Sequence, residues 1–312
     1  MTSCSARKPL AAAMMAACLT LGAACASAAD WSDTYLNYRY GTKFRESFVN
    51  SGPNNNDPND ITKNIIGLNH SSGYKYGVNV FTLDFLMSNK NDPANCQNFQ
   101  CQGEATEAYV FYRNTLDIGK ITDKDFHWGW VRGIGATAGF DLNTKSDAGY
   151  NSKKRMFVLG PAVMFDTPGY VNMSLLAVWD SNAPCTTFPP AAVGYPSNCI
   201  DRYHYKTHPM LWTAWGIPIG STGFSFEGYL NLIASKGKNE FGAETKPETN
   251  FDGQIMYDLG RLGLGPRGTF KVGFEYQYWK NKFGNDHTIP GPNGAGPGAF
   301  AKTPMVRAEY HF

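Results

Sequence analysis

The sequence has no long apolar run outside its N-terminus and no large excess of charge of either sign. After about residue 29, no stretch approaches the roughly 18 uninterrupted apolar residues of a membrane-spanning helix. The 28 Lys and Arg face 26 Asp and Glu. A nucleic-acid-binding protein would show a basic excess, so we expect no nucleic-acid polymer as a partner. Helical periodicity is scarce, whereas 33 Gly and 14% aromatic residues favour a β-rich chain.

Motifs for catalysis and metal binding are also missing. There is no G-x-S-x-G motif. The neighbourhood that most suggests serine catalysis is His70-Ser71-Ser72, which we interpret as a turn without an acid partner. His204 and His208 would lie about 13 Å apart on a strand, too far to share one metal ion. We therefore expect no enzymatic activity, no cofactor and no metal site.

The N-terminus has the pattern of a secretory signal. Two basic residues precede an apolar run that ends in Ala26-Ser27-Ala28. This pattern predicts a cleaved signal peptide over residues 1–29 and one mature domain over residues 30–312, which carries no net formal charge. A transmembrane anchor is one alternative. A lipoprotein attached through Cys25 is another, but Gly22 stands where such a signal has Leu.

Four of the seven cysteines lie outside the signal segment. Cys96 and Cys101 share one polar segment, and Cys185 and Cys199 share another. In an oxidising compartment this arrangement predicts two local disulfides, although four cysteines allow three connectivities. Zinc binding by four thiolates is the alternative, but the C-x4-C and C-x13-C spacings do not resemble a zinc ribbon.

Alternation of apolar and polar residues is the main structural signal of the chain. At the C-terminus, Pro304, Val306, Ala308 and Tyr310 share one parity and charged residues take the other, as in a strand with one apolar and one polar face. Twelve segments have this character. They lie near 33–46, 63–70, 74–87, 104–117, 126–141, 154–166, 170–180, 203–216, 222–236, 248–259, 268–280 and 302–312.

Long and short connections alternate between these segments. Examples are the long 47–62 and 281–301 and the short 70–73 and 167–169. This alternation predicts a closed antiparallel transmembrane β-barrel of about 12 strands, with short periplasmic turns and long extracellular loops, in a Gram-negative outer membrane. A soluble lipocalin-like barrel is the alternative, but it has about eight strands and would enclose the aromatic residues.

Aromatic residues on the apolar parity cluster near strand ends. Tyr203 and Tyr205 stand at one end of their segment and Trp215 at the other, and Trp179 ends another segment. This placement is typical of aromatic girdles that contact outer-membrane lipid at its interfaces. The terminal Phe312 resembles the C-terminal signature by which the barrel-assembly machinery recognises its substrates.

Twelve strands predict a lumen narrower than that of a 16-stranded porin, so the inward parity is expected to set selectivity. Each candidate either contacts a solute or only braces the wall through mutual ion pairs. The pore-lining candidates are Arg39, Lys43, His204, Lys206, His208, Glu227, Tyr229, Asn231, Asp252, Gln254, Lys271, Glu275, Gln277, Trp279, Arg307 and Glu309. Their mixture of charges and aromatic rings suits a neutral, flat, polyhydroxylated heterocycle.

Several long blocks resemble the Tsx-like nucleoside-specific channel-forming proteins of Gram-negative outer membranes. Among them are "YLNYRYGTKFRE" (35–46), "TAGFDLNTKSDAGYNSKKRMFVLGP" (137–161), "VGFEYQYWKNKFGN" (272–285) and the closing "AKTPMVRAEYHF". The resemblance covers nearly all of the mature chain. It implies a twelve-stranded barrel that passes nucleosides and deoxynucleosides passively. The chain departs from this pattern in three loops, 88–103, 181–202 and 285–301.

Two other functions remain as alternatives. The channel could serve another class of small solute, such as sugars, aromatic acids or peptides. The protein could also be a surface receptor or adhesin that uses its external loops. An outer-membrane enzyme would need a catalytic constellation, for which the sequence offers no evident set of residues.

Overall fold

The computed structural model describes residues 29–51, 56–97, 100–148, 150–185, 199–290 and 294–312. The predicted signal peptide over residues 1–29 lies almost entirely outside these described residues. None of the helices within the described ranges is both long and apolar enough to cross a membrane.

Twelve long antiparallel strands form one closed barrel, as the sequence predicted. Each strand pairs with its neighbours in chain order. The strands are β1 (Ala29–Phe44), β2 (Ile61–Tyr74), β3 (Gly77–Ser88), β4 (Thr106–Asp117), β5 (Val131–Lys145), β6 (Arg155–Phe165), β7 (Tyr170–Asn182), β8 (His208–Pro218), β9 (Phe224–Ile233), β10 (Glu248–Asp258), β11 (Phe270–Lys280) and β12 (Phe300–His311).

The first and last strands close the barrel. Tyr38 in β1 lies opposite Ile66 in β2 on one side and opposite Ala308 in β12 on the other. Because β1 is paired on both edges, the sheet has no free edge with exposed backbone hydrogen-bonding groups. Closure therefore satisfies the backbone without water on the outer surface.

The predicted alternation is confirmed in β12. Thr303, Met305, Arg307 and Glu309 are buried, whereas Val306 and Tyr310 are each 49% exposed. The charged parity points into the barrel and the apolar parity points outward. This is the opposite of a soluble protein, whose apolar parity faces its core.

Six connections lie at one end of the barrel and five at the other, and every connection of the first group except 146–154 is longer than all five of the second. The first group consists of 45–60, 89–105, 146–154, 183–207, 234–247 and 281–299, and the second of 75–76, 118–130, 166–169, 219–223 and 259–269. We call the first end the loop end and the second the turn end. The strand β2 continues through His70-Ser71-Ser72, so the predicted turn at 70–73 is wrong, and the chain reverses at 75–76.

Connection 118–130 is longer than predicted because it contains a helix, Ile118–Thr122. The Asp117 side chain caps this helix by accepting a hydrogen bond from the Lys120 backbone N–H at 3.2 Å. Strand β5 consequently begins at Val131 rather than near 126, and Trp130 lies in the turn with 82% of its surface exposed.

The segment predicted as a strand over 203–216 is divided. Tyr203–His204 forms a two-residue strand that pairs with the last two residues of β7, and β8 begins only at His208. Tyr205 is buried and its hydroxyl donates to Glu240 at 2.6 Å, so its prediction as a lipid-facing girdle residue is wrong. Trp179 does point outward near the loop end.

Exposed aromatic side chains mark the turn end of the outer surface. Near the ends of β9, β11 and β12 lie Phe224, Phe270, Tyr310 and Phe312. Aliphatic residues occupy the wall between the two ends, among them Ile66, Leu175, Leu232, Ile255 and Val306. An aliphatic band between aromatic residues is typical of a surface that faces lipid.

We expect Gly139 to be required for close packing of β5 against β4. A Cβ atom at this position would overlap the Tyr112 carbonyl oxygen and lie 2.7 Å from Arg113 Cδ. Gly139→Val should therefore destabilise the barrel by about 1–3 kcal/mol. Urea unfolding in micelles, followed by tryptophan fluorescence, measures this effect.

The neighbouring Ala138 provides the control for this substitution. Its side chain is exposed on the outer face, so Ala138→Val places the same valine side chain where there is room. Equal unfolding midpoints for the two variants would contradict the packing argument.

Candidate functional site

Contacts between strands that are not neighbours identify the inner wall, because such side chains can meet only inside the barrel. Arg39 in β1 forms ion pairs with Asp84 in β3 and, at 3.5 Å, with Glu275 in β11. Phe111 in β4 contacts Trp212 in β8, with 6.1 Å between ring centroids. The interior is therefore lined by packed side chains of two contrasting kinds.

The polar part of the wall centres on Glu275, which is 2% exposed. Arg307 Nη1 lies 2.7 Å from Glu275 Oε2, and Arg39 approaches the other oxygen of the same carboxylate. Arg307 Nε also bonds Glu309 Oε1 at 2.7 Å. One buried carboxylate thus holds two arginines in place, which satisfies charges that would otherwise be costly to bury.

This network continues to the turn end of the lumen. The His311 ring lies between Glu309 Oε2 at 3.2 Å and Asp33 Oδ1 at 2.8 Å, and Tyr35 stacks on the same ring. Beside it, Lys271 lies 3.7 Å from Glu227. We call the residues in the middle of the wall the central charge network, and Asp33, Tyr35 and His311 its extension at the turn end. The members of the central charge network are Arg39, Asp84, Glu227, Asp252, Lys271, Glu275, Arg307 and Glu309.

The opposite part of the inner wall is apolar. Strands β6, β7 and β8 turn the buried residues Met156, Val158, Leu176, Val178, Met210 and Trp212 inward, and Phe111 and Ile233 pack against them. These strands are apolar on both faces, so their sequence shows no clean polar parity. The lumen consequently has one charged side and one apolar, aromatic side.

Arg113 stands at the boundary between the two sides. Its guanidinium carbon lies 4.4 Å from the Phe111 ring centroid and 5.9 Å from that of Trp212, and Nη1 bonds Asp141 Oδ1 at 2.5 Å. Tyr109 donates to the other Asp141 oxygen at 2.7 Å. The arginine is therefore neutralised on one side and stacked on aromatic rings on the other.

At the loop end, residues from four elements fill the barrel mouth around Glu46. Lys63 from β2 forms an ion pair with it, Lys282 lies at 3.1 Å, and Lys145 from β5 lies at 3.6 Å. Lys145 also contacts Asp92 at 3.0 Å. All five groups are buried, so the connections 45–60, 89–105 and 281–299 fold inward rather than standing away from the barrel.

Aromatic residues complete this closure of the mouth. The Phe48 ring lies 5.6 Å from Tyr150 and 6.1 Å from Phe241, so three loops meet through three rings. Tyr150 and Tyr205 both donate hydrogen bonds to Glu240. Phe48 has a φ of 69°, a left-handed conformation that is rare for a bulky residue and that the surrounding contacts must stabilise.

A disulfide supports the connection that carries Tyr205. Cys185 and Cys199 are bonded, which confirms one of the two predicted disulfides. Cys96 and Cys101 lie opposite each other in a short backbone hairpin, 95–97 with 100–102. Their side chains lie outside the described part of the chain.

Thirteen of the sixteen pore-lining candidates lie on the inner wall. These are Arg39, His208, Glu227, Tyr229, Asn231, Asp252, Gln254, Lys271, Glu275, Gln277, Trp279, Arg307 and Glu309. Eleven of them lie on β9 to β12, and with Arg39 they form the charged side of the lumen. His208 is separate and lies near Asp180 and Lys236 at the mouth.

The other three candidates do not point into the lumen. A bulge between Gly41 and Phe44 turns Phe44 inward, so the Lys43 side chain is 55% exposed and pairs with Asp60 at the rim. His204 and Lys206 are exposed because the chain leaves the barrel wall before His208. Period-two alternation could not reveal either interruption.

Sequence reasoning missed several residues that the structure brings into the site. Asp84 could have been found by extending the parity of β3, where Val80 and Thr82 precede it on the inner face. Arg113 could not, because Phe111 makes the inner face of β4 partly apolar. The mouth residues Glu46 and Lys282 lie in loops, where no periodicity applies. Within the described residues, no three His, Cys, Asp or Glu side chains group as metal ligands.

The mouth carboxylates titrate differently although the same lysines surround them. Burial alone would raise the pKa of Glu46, but Lys145, Lys282 and Lys63 outweigh it and hold that pKa well below its usual range. Burial raises the pKa of Asp92 to about 6 despite Lys145 and Lys63. Burial also lowers the pKa of Lys282, against the opposing effect of Glu46.

Comparisons with known proteins show similarity to outer-membrane barrels at low sequence identity. No protein-family model and no curated protein sequence matches the chain. An outer-membrane channel of Pseudomonas putida F1 superposes with a TM-score of 0.45 and 11% identity, covering 91% of this chain and 96% of that one. The translocator domain of the autotransporter NalP from Neisseria meningitidis gives a TM-score of 0.44 and 10% sequence identity, with 96% of both chains covered.

The KdgM porin in complex with oligogalacturonate gives a TM-score of 0.38 and 9% identity, covering 89% of this chain and 99% of that one.

We expect Glu46→Gln to loosen the barrel mouth. The variant leaves Lys63, Lys145 and Lys282 without their shared carboxylate, and breaking a buried ion pair costs about 3–5 kcal/mol. The thermal midpoint in micelles should fall, and the single-channel conductance should rise as the loops part.

Asp60→Asn is the matched control, because it removes a carboxylate of the same connection from an exposed pair with Lys43. Exposed pairs contribute only about 0–1 kcal/mol, so this variant should resemble the wild type. Equal effects of the two substitutions would contradict a special role for Glu46.

We expect Asp92 to make the stability of the mouth depend on pH. Its pKa in the folded protein, about 6, lies above the ordinary value of an aspartate. The folded state therefore holds this proton more tightly, and the contribution of Asp92 is present at about pH 4 and lost as pH rises through about 6. As the pH rises between these values, the thermal midpoint of the wild type should fall relative to that of Asp92→Asn. If the midpoints of the two proteins changed in parallel with pH, the raised pKa of Asp92 would be contradicted.

Proposed function

We propose that the protein is a passive channel of the Gram-negative outer membrane that passes small solutes, with nucleosides and deoxynucleosides as the preferred class. The aliphatic outer band, the aromatic residues at the turn end and the absence of a free sheet edge suit a barrel that contacts outer-membrane lipid. A secretory signal over residues 1–29 would deliver it, and Phe312 would be read by the barrel-assembly machinery. The long connections would then be extracellular.

The observation that carries the solute class is the two-sided lumen. A nucleoside has a flat, stackable base and a hydroxylated sugar. Half-buried aromatic rings occur at several depths of the inner wall: Trp279 near the mouth, Phe111 and Tyr229 in the middle and Tyr35 at the turn end. The central charge network faces the apolar wall, so a base and a sugar could each meet a suitable surface in one passage.

Buried amide groups on the inner wall add unused hydrogen-bonding capacity. Asn37 Nδ2, Asn69 Nδ2, Asn172 Oδ1 and Asn250 Oδ1 have no hydrogen-bond partner within the described part of the protein. Buried polar atoms usually have such partners. Hydroxyl groups of a passing sugar would reach them once the covering side chains move aside, and weak binding at several places is what conduction requires.

Side chains packed at the mouth would limit passage through the channel. The mouth is filled by the residues around Glu46, Tyr150 and Glu240, so the resting channel conducts poorly until the loops separate. A receptor role for the loops is the second candidate. The observation in its favour is that three connections are held in one compact surface by Phe48, Tyr150 and Phe241.

We expect Trp279→Ala to weaken nucleoside block of the channel. Stacking of a base on an aromatic side chain contributes about 1–3 kcal/mol, so the adenosine concentration for half-block should rise at least several-fold. The measurement is single-channel conductance in a planar bilayer with adenosine, thymidine and glucose titrated in turn.

Trp179→Ala is the matched control, since Trp179 lies near the same end of the barrel but points outward. Adenosine should block this variant at the same concentration as the wild type. A wild-type channel that responds equally to adenosine and glucose would overturn the nucleoside assignment and favour another solute class. A protein that forms no conducting channel would overturn the channel function and favour the receptor role.

A further inference from the structure

The central charge network is not electrically balanced. Three cationic side chains, Arg39, Lys271 and Arg307, face five carboxylates, which are Asp84, Glu227, Asp252, Glu275 and Glu309. The next inward-facing pair, Arg113 with Asp141, is neutral in sum. Although the mature chain has no net formal charge, the middle of its lumen is therefore negative.

The excess is concentrated at Asp252. Arg39 forms ion pairs with Asp84 and Glu275, and Arg307 forms ion pairs with Glu275 and Glu309. Lys271 lies near Glu227. In the described part of the chain, no Lys, Arg or His nitrogen lies within 4 Å of the Asp252 carboxylate. The neutral Gln277 Nε2 donates a hydrogen bond to it at 3.3 Å, and the Glu275 carboxyl group is close enough to share a second hydrogen bond with it. Asp252 is nevertheless only 5% exposed.

The position of Asp252 beside another acid sharpens this imbalance. In the β10–β11 register Asp252 lies opposite Gln277 and Gln254 lies opposite Glu275, so the two carboxylates are diagonal neighbours on the inner wall. A buried carboxylate without a cation carries a large desolvation cost. A proton shared by the two groups reduces that cost in part, and a mobile cation would reduce it further, whereas an anion would add repulsion.

We propose that Asp252 and Glu275 form the charge filter of the lumen, which attracts small monovalent cations and admits neutral or cationic solutes while disfavouring anions. Acidic side chains serve the same purpose in other cation-selective pores. The mouth has the same sign of imbalance, since Lys63, Lys145 and Lys282 face Glu46, Asp92, Glu107 and Asp147. Cations would therefore meet no opposing barrier along the path.

This inference rests on the channel part of the proposed function and not on the nucleoside preference, which it narrows. A nucleoside is neutral, whereas a nucleotide or an acidic sugar is an anion. The filter would thus admit nucleosides and reject their phosphorylated forms. Selectivity among neutral solutes would still come from the aromatic wall.

The test is the reversal potential of the reconstituted protein between KCl solutions of unequal concentration. The wild type should be cation-selective. Asp252→Asn keeps the shape and the Gln277 hydrogen bond but removes the charge. One unit charge at about 4 Å in water favours a cation and disfavours an anion by about sixfold each, so the variant should lower the cation-to-anion permeability ratio by up to about thirtyfold. Asp252→Glu should retain the selectivity.

Asp166→Asn is the matched control, because it removes the same charge from a turn-end side chain that is 65% exposed. Its permeability ratio should equal that of the wild type. An unselective or anion-selective wild type would overturn the charge filter even if no variant folds. So would equal ratios for Asp252→Asn and the wild type.

Adenosine and adenosine monophosphate provide a second measurement on the wild type. Adenosine should enter and block the channel, and the monophosphate should block far less. Cation selectivity without any nucleoside block would support the filter and overturn only the nucleoside assignment. The absence of any conductance would overturn both.

Discussion

The hydrogen-bonded closure of β1 onto β12 is the constraint on which the rest of the structure depends. A sheet edge could not be tolerated in hydrocarbon, so the last strand must return to the first. Closure then fixes which parity of every strand points inward. That single geometric condition forces Arg39, Glu275 and Arg307, which are far apart in sequence, into one enclosed space.

Enclosure in turn explains why the inner wall is organised as a network rather than as isolated charges. A lone buried arginine would be costly, so Glu275 is shared by two of them and Glu309 by Arg307 and His311. On the far side, Arg113 is stacked on aromatic rings and paired with Asp141. The wall is braced by the same groups that a solute would meet, and bracing and solute contact are thus two uses of one arrangement.

The sequence was sufficient for the parts of the fold that follow from period-two alternation. All twelve strands, the barrel closure and the charged inner side of β9 to β12 follow from it, because polar and apolar residues separate cleanly there. The apolar wall of β6 to β8 could not be predicted from this alternation, since both faces of those strands are apolar. Lys43 and Tyr205 were misplaced because a bulge and a break in the strand shift side chains without leaving a mark on composition.

The mouth shows how permeation through a barrel with a rigid wall can still be controlled. Its residues come from loops, and its contacts are ion pairs, hydrogen bonds and aromatic rings rather than backbone ladders. Each such contact can be lost singly, whereas a ladder cannot be opened without breaking many hydrogen bonds at once. The strained Phe48 lies where three loops meet, so its release would favour separation of the loops. Permeation would therefore be governed at the loop end, while selection would take place in the rigid middle of the lumen.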